Sequence, residues 1–178
     1  MRLYFLTGIG GFILFMFFEV FTLRGVKKHF ILIPSFVLFL YGSFMIFVKS
    51  RRDFSISLPL TIFLYIILFI SLGLLIYSLF INIPFKKTYI KNGFEQELVK
   101  SGLYSISRHP GFLFLSLFLF SLSLIKGSFV SLYYSLVIVS LDFILIYYQD
   151  KVVFPKIFKG YNEYKREVNF ILGRRRKK

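Results

Sequence analysis

Residues 128–148 read SFVSLYYSLVIVSLDFILIYY, an apolar run in which Asp142 is the one charged side chain. A helix of this length rises about 30 Å, which is the thickness of the hydrocarbon core of a bilayer. Backbone polar groups inside a bilayer must be hydrogen-bonded within the protein, so a span of this kind is helical. Further apolar runs cover residues 3–23, 30–48, 54–85 and 110–125. The sequence therefore predicts an all-α integral membrane protein with about five transmembrane helices.

The composition predicts a single membrane domain. Of the 178 residues, 57% are hydrophobic and 21% are aromatic, a balance that soluble globular domains do not have. We expect one polytopic domain over residues 1–178, with three N-terminal spans in 1–85 and a second half in 86–178. The third run is longer than a bilayer requires, so it tilts, breaks near Gly73 or projects from the membrane. The chain has no cysteine and two histidines, which excludes disulfides and thiol chemistry and predicts no metal site.

The charge of the chain predicts its orientation. The formal net charge is +15, and with a cytoplasmic C-terminus 18 of the 23 Lys and Arg residues lie on the cytoplasmic side. That asymmetry follows the positive-inside rule, although Arg51 and Arg52 fall on the other side. Five spans then place the N-terminus outside, in what we expect to be the cell (inner) membrane. Because membrane topology accounts for the basic charge, we expect no nucleic-acid partner.

The tail carries an apolar stripe at helical spacing. Pro155 suits the first turn of a helix, and the polar residues lie mostly on the other face. The pattern predicts a C-terminal interfacial amphipathic helix that folds back on the membrane surface. The basic end, residues 174–178, is typical of an electrostatic anchor to anionic lipid. The stripe consists of Ile157, Tyr161, Tyr164, Val168 and Ile171.

A polar, turn-forming segment precedes the fourth apolar run. Residues 101–111 read SGLYSISRHPG. Pro110 favours the first helical position, which places His109 at the N-cap beside the unpaired N–H groups of the helix. Those groups, with Arg108 and His109, would hold an anion. An ordinary helix start with an interfacial arginine explains the same pattern equally well.

Acidic and amide side chains on other spans fall on the same side of the bilayer. Asp142 and Gln149 are seven residues apart and share a helix face, with Asp142 about 9 Å below the cytoplasmic end. Glu19 lies in the same leaflet. Interhelical hydrogen bonding or snorkelling explains Glu19 and Asp142 as well as a site does. The orientation gathers six polar side chains: Glu19, Arg108, His109, Asp142, Gln149 and Asp150.

An anion site next to carboxylates and aromatic walls suits a small zwitterion that also carries a planar base. S-adenosylmethionine has a carboxylate, an ammonium, a sulfonium that fits aromatic faces, and an adenine ring. The residues permit this ligand without forcing it.

The C-terminal half resembles the isoprenylcysteine carboxyl methyltransferase family and its relatives, the phospholipid methyltransferases. The resemblance covers roughly residues 95–172. It rests on the motif Gly-x-Tyr-x-x-x-Arg-His-Pro, which runs from Gly102 to Pro110, followed by a helical hairpin. The family then has an acidic pair and two tyrosines 12 and 15 residues after the first acid. Counting back from Tyr161 and Tyr164 places that pair on Gln149-Asp150.

The resemblance implies an S-adenosylmethionine cofactor and a set of residues that contact it. By resemblance, Gln149 and Asp150 would hold its amino group, Arg108 would orient its headgroup and the tail would cover the site. Asp142 and Glu19 are the candidates on the methyl-acceptor side. The full set of cofactor candidates is Gln96, Glu97, Leu98, Val99, Tyr104, His109, Pro110, Gly111, Phe112, Gln149, Asp150, Tyr161 and Tyr164.

The chain departs from the family pattern at several positions, and the departures bear on the acceptor. Phe112 replaces a tyrosine, Phe114 a glycine, and the amide Gln149 the first acid. Leu145 replaces an arginine near the methyl acceptor, which disfavours a carboxylate acceptor. Asp142 suits an amine or a hydroxyl instead, as cation partner or general base.

We therefore predict a membrane methyltransferase that uses S-adenosylmethionine and a lipophilic acceptor. A prenylated protein, a phospholipid amine, an isoprenoid and a small hydrophobic acid all remain open as acceptors. Two other functions also remain open. One is an eroded relative that binds lipid or a partner, and the other is a reductase of the related steroid-reductase type with a nicotinamide cofactor.

Overall fold

The computed structural model describes residues 1–23, 29–82 and 98–173 and, within them, all side chains except those of residues 19–23 and 29–30. The regular secondary structure in these ranges is helical, and they contain no strand. One π-helical turn covers Tyr77–Ile81, another covers Gln149–Val153, and a 3₁₀ turn covers Gly102–Ser105. The α-helices are α1 (Arg2–Leu23), α2 (His29–Lys49), α3 (Leu58–Ile76), α4 (Pro110–Lys126), α5 (Phe129–Tyr148), α6 (Phe154–Ile157) and α7 (Tyr161–Glu167).

Three of the described helical segments are long and apolar enough to cross a membrane: Ile31–Lys49, Leu58–Ile81 and Phe129–Ile157. Two apolar helical segments are shorter, Arg2–Phe18 and Pro110–Lys126. The predicted helical membrane fold is confirmed to this extent, and the count of five spans stays a prediction for α1 and α4.

The third apolar run forms a continuous helix that begins later than the sequence predicts. Residues 51–57 are not helical. They pack against the turn between α4 and α5, where the backbone N–H groups of Asp53 and Phe54 donate to Gly127 O at 2.7 and 3.0 Å. The carboxylate Oδ2 of Asp53 also accepts from Phe129 N at 2.8 Å. The helix passes through Gly73 without interruption, so of the three alternatives for this long run the break at Gly73 is excluded.

The predicted hairpin between the fourth and fifth runs is confirmed. Gly127 ends α4 in the left-handed region, with φ 67° and ψ 39°, and its N–H donates to the carbonyls of Ser123 and Leu124. Within the hairpin, Ser123 Oγ lies 2.7 Å from Ser135 Oγ and donates to Ser131 O at 3.0 Å. Small residues with such hydrogen bonds let membrane helices approach closely.

Helices α1 and α2 pack on each other through glycines. An added Cβ at Gly42 would overlap the backbone of Gly8 and the carbonyl of Tyr4, and one at Gly11 would overlap the backbone of α2. The core formed with α4 and α5 is apolar. Its fully packed members are Phe12, Ile46, Leu119, Tyr134, Ile138 and Leu145.

Replacing Gly42 with valine is expected to lower the free energy of unfolding by about 1–3 kcal/mol, because the side chain forces the two backbones apart. Gly10→Val is the matched control, since a Cβ at Gly10 meets nothing within 4 Å. The measurement is thermal unfolding in detergent, followed by circular dichroism. Equal losses in the two variants would contradict the close approach at Gly42.

Candidate functional site

The start of α4 has the geometry that the sequence predicts. His109 is the N-cap and Pro110 opens the helix. The backbone N–H of His109 donates to Ser107 Oγ at 3.1 Å, and that of Arg108 donates to Asn169 O at 3.2 Å. Both hydrogen bonds hold the Arg108 and His109 side chains inside the protein, where the two residues are 7% and 6% exposed.

Asp150, which is 2% exposed, is the centre of a polar cluster. Its Oδ1 lies 2.7 Å from Arg108 Nη1 and accepts a 2.8 Å hydrogen bond from the Tyr161 hydroxyl. Its Oδ2 lies 2.9 Å from Lys165 Nζ, which also donates to the Asp150 carbonyl at 3.0 Å. His109 Nε2 is 3.6 Å from Oδ1, which is too far for a hydrogen bond. These five residues, the Asp150 cluster, join the start of α4, the end of α5 and α7.

Three atoms of the Asp150 cluster are buried without a hydrogen-bond partner among the described residues: Arg108 Nε, Arg108 Nη1 and His109 Nε2. Of these, Arg108 Nη1 is ion-paired with Asp150 Oδ1 at 2.7 Å. Burial lowers the pKa of His109 below its ordinary 6.5, and Asp150 acts in the opposite direction. The imidazole is therefore neutral at pH 7, and in the tautomer that carries its proton on Nε2 that atom is a donor. Buried donors without acceptors are costly, so they favour an anionic ligand at the start of α4.

The rings of three aromatic residues frame the same groups. His109 stacks on Phe154, with centroids 5.7 Å apart, and meets Phe170 at 4.9 Å. The Arg108 guanidinium lies over Phe170, 5.5 Å from its centroid. Phe143 contacts Phe170 edge-on. The packing fixes both side chains in place, which pre-organises them for a ligand.

The tail forms two short helices, and the prediction of one interfacial helix over its stripe was wrong. Gly160 has φ 76° and Phe158 is extended, so the chain turns between α6 and α7. Glycine adopts that left-handed conformation without strain. The Tyr161, Tyr164 and Val168 side chains are buried as their spacing predicts. They pack on the protein itself, against Leu98, Phe154 and Phe158.

The two tail tyrosines connect the tail to the site. The Tyr164 hydroxyl donates to Tyr104 O at 2.6 Å, and Tyr161 donates to Asp150. Burial raises the pKa of both tyrosines well above the ordinary 10.0, and Asp150 adds to the effect. Both phenols therefore stay protonated and act as donors that hold α7 over the Asp150 cluster.

A cavity of about 620 Å³ extends from the Asp150 cluster into the helix bundle. Sites for small ligands have volumes of about 300–1,000 Å³. Along α4 the lining runs from Gly111 to Leu122, which is about 16 Å of helix. The end nearest the cluster is polar, with Arg108, His109 and Gln149, whereas the deeper walls are mostly phenylalanine and leucine. The cavity therefore joins a charged end to an apolar channel.

Residues 60–160 match the model of the phospholipid methyltransferase family, which is more than half of the 178 residues. The chain belongs to the phospholipid methyltransferase family. The match begins in α3 and includes Arg108, His109 and Asp150, and it confirms the resemblance seen in the sequence. Comparisons with curated proteins and with solved structures gave no match. The family match and the apolar helices together indicate a membrane protein of a methyltransferase family.

Among the residues that the structure describes, Asp142 is the acidic residue that lines the cavity. It is 9% exposed and lines the cavity on α5. Eight residues separate it from Asp150, which corresponds to about 12 Å along the helix. It makes no hydrogen bond or ion pair with the residues that the structure describes. Interhelical hydrogen bonding, one of the alternative explanations for Asp142, is therefore not seen within those ranges.

Most of the predicted cofactor residues are brought together around the cavity. Gln96 and Glu97 lie outside the described residues, as does the side chain of Glu19. Pro110 is fully buried, and Asp150 lies behind the lining, in contact with Arg108 and Tyr161. Those that line the cavity are Leu98, Val99, Tyr104, Arg108, His109, Gly111, Phe112, Gln149, Tyr161 and Tyr164.

Lys165 and Phe170 are site residues that the sequence alone did not indicate. Lys165 belongs to the polar face of the tail pattern, and its contact with Asp150 spans 15 residues. One signal was available, because Lys165 follows Tyr161 by four residues and shares its helix face. Phe170 follows α7 outside any periodic pattern, so no signal pointed to it.

Proposed function

We propose that the protein is an S-adenosylmethionine-dependent methyltransferase that acts on a lipophilic acceptor. One observation carries the proposal: the start of α4 and the end of α5 meet at the polar end of a cavity whose other walls are mostly apolar. A charged cofactor needs the polar end of the cavity, and a lipid-soluble acceptor needs its apolar walls. Membership of the family supports the same reaction.

The residues at the polar end fit the cofactor. The unsatisfied donors Arg108 Nε and His109 Nε2 would receive its carboxylate, with the N–H groups at the start of α4. Gln149 and Asp150 would receive its ammonium, and the rings of Tyr104 and Phe112 would lie near the sulfonium and adenine. S-adenosylmethionine supplies an electrophilic methyl group. Leu98, Val99, Pro110, Gly111, Tyr161 and Tyr164 complete the proposed set, with Gln96 and Glu97 from the undescribed segment.

The apolar channel would hold the acceptor. Its phenylalanine and leucine walls exclude water, and they align the acceptor with the polar end. Asp142 is the proposed acceptor-side group, since a carboxylate buried in an apolar wall requires a cation or a proton. It would pair with an ammonium, or its carboxylate oxygen would take the proton that an amine or hydroxyl loses on methylation. Glu19 is proposed to assist from the same leaflet.

The topology is part of the proposal. We propose five spans in the cell membrane, with the N-terminus outside and the Asp150 cluster on the cytoplasmic side. The cofactor would then enter from the cytoplasm and the acceptor from the bilayer. The charge asymmetry along the chain supports this orientation.

The test is mass spectrometry of membrane lipids from cells with and without the gene, grown with methionine that carries a trideuterated methyl group. We expect a lipid that gains one labelled methyl only when the gene is present, and not with the His109→Ala variant. The absence of any gene-dependent methylated lipid would contradict the proposal.

One specific observation favours the second function, an eroded relative that binds lipid without catalysis. Asp150 is already paired with Arg108 and Lys165, and Gln149 replaces an acid. Thermal shifts of the purified protein separate the functions. Stabilisation by S-adenosylmethionine or its demethylated product supports the methyltransferase. Stabilisation by neither compound favours the eroded relative, and stabilisation by NADPH alone favours the reductase.

A further inference from the structure

The Asp150 cluster contains two cationic side chains and one carboxylate. Burial keeps His109 neutral, so within the cluster the carboxylate of Asp150 faces two cationic side chains, Arg108 and Lys165. A third cation on the same carboxylate would be strongly disfavoured in a buried setting. The ammonium of a zwitterionic ligand can therefore pair with Asp150 only if Arg108 or Lys165 moves away from that carboxylate.

The two cations differ in how firmly they are held. The Arg108 side chain is 6% exposed, lies over the Phe170 ring and forms part of the loop that begins α4. The Lys165 side chain is 23% exposed, the largest value among the cations and imidazole around Asp150. A lysine ammonium is a compact charge on a flexible stem and is well hydrated in water. Lys165 is therefore the group that can withdraw to solvent at low cost.

We propose that Lys165 is a displaceable occupant of the ammonium subsite at Asp150, and that it sets the affinity of the protein for its cofactor. This inference rests on the proposed function. Without cofactor, Lys165 Nζ neutralises Asp150 Oδ2 and ties α7 over the site. With cofactor, the ligand ammonium replaces Lys165 Nζ, and Arg108 stays paired with Oδ1.

The charge count agrees with this exchange. With Lys165 withdrawn, Asp150 pairs with Arg108 and the ligand ammonium, and the ligand carboxylate lies against the unsatisfied donors of Arg108 and His109. The ammonium and the carboxylate of the ligand then each have a partner of opposite sign, and its sulfonium lies near the aromatic rings proposed for it. If Lys165 stayed in place, the ligand ammonium would have no carboxylate of its own in the described part of the cluster.

The first test uses the unmodified protein in detergent. Amine acetylation by acetic anhydride, read by mass spectrometry, is compared with and without saturating S-adenosylmethionine. We expect the labelling rate of Lys165 to rise several-fold with the cofactor, because its amine moves to solvent. The exposed Lys159, between α6 and α7, is the internal control and should not change. An unchanged or slower rate at Lys165 would overturn the inference.

The second test measures binding of S-adenosylmethionine by calorimetry. If the subsite is free of Lys165 in about a tenth of the molecules, Lys165→Met tightens the apparent affinity about tenfold. Lys159→Met removes the same charge from the same tail and should bind like the unmodified protein. Equal or weaker binding by Lys165→Met, in a variant with an unchanged circular dichroism spectrum, would overturn the inference. If Lys165→Met does not fold, the acetylation rate of Lys165 in the unmodified protein decides whether this side chain is displaced.

The outcomes separate the inference from the proposed function. If S-adenosylmethionine binds saturably to the unmodified protein and the labelling rate of Lys165 does not change, the inference about Lys165 is wrong. The proposed methyltransferase function then still stands. No binding to the unmodified protein or to Lys165→Met removes both.

Discussion

Replacing Asp150 with asparagine is expected to lower the free energy of unfolding by about 3–5 kcal/mol, the range seen when one partner of a buried ion pair is removed. The amide keeps the shape of the side chain and an oxygen that can accept from Tyr161. It leaves Arg108 and Lys165 without a counter-charge, and Arg108 is 7% exposed. The loss therefore reports on charge rather than on packing.

Chemical unfolding in detergent, followed by circular dichroism, measures this effect. Glu163→Gln is the matched control, because Glu163 is exposed on α7, the helix that the Asp150 cluster contacts, and the substitution is also acid to amide. We expect the control to lie within about 0.5 kcal/mol of the unmodified protein. An equally small effect for Asp150→Asn would show that the Asp150 cluster does not hold the tail to the bundle.

Substitution of His109 is expected to remove most of the affinity for S-adenosylmethionine. A hydrogen bond to a charged group contributes about 1.5–3 kcal/mol, and about 1.4 kcal/mol corresponds to a factor of ten in affinity. We therefore expect binding about 10–100-fold weaker in His109→Phe. The phenyl ring can keep the aromatic contacts with Phe154 and Phe170 and cannot donate to a carboxylate.

His109→Ala separates the two contributions of the ring. It should lose the same affinity and, in addition, some stability, since the aromatic contacts disappear. Calorimetry gives the affinity, and thermal unfolding gives the stability of each variant. Binding by His109→Phe that equals that of the unmodified protein would remove His109 from the proposed cofactor site.

Features that depend on neighbouring residues in the chain could be predicted from the sequence. Pro110 after His109 predicts the N-cap, because local steric and hydrogen-bonding rules decide it. Gly127 between two apolar runs predicts the hairpin for the same reason. The apposition of the start of α4 and the end of α5 also followed, because two antiparallel helices joined by a tight turn have these ends on the same side.

Features that depend on long-range packing could not be predicted. The apolar stripe of the tail looks like a membrane-facing helix, because its spacing cannot distinguish lipid from protein as the apolar surroundings. The left-handed Gly160 divides that stripe, and the tyrosines turn inward. The pairing of Lys165 with Asp150 requires the tail to fold back, which no periodicity encodes. Likewise, the non-helical residues 51–57 are set by their contact with the α4–α5 turn.

The most direct measurement is titration of the purified, unmodified protein with S-adenosylmethionine by calorimetry in detergent, beside His109→Phe. The account predicts saturable binding of one molecule per chain to the unmodified protein and a loss of most of that affinity in the variant. A folded, unmodified protein that gives no saturable binding to the cofactor or its demethylated product would contradict it.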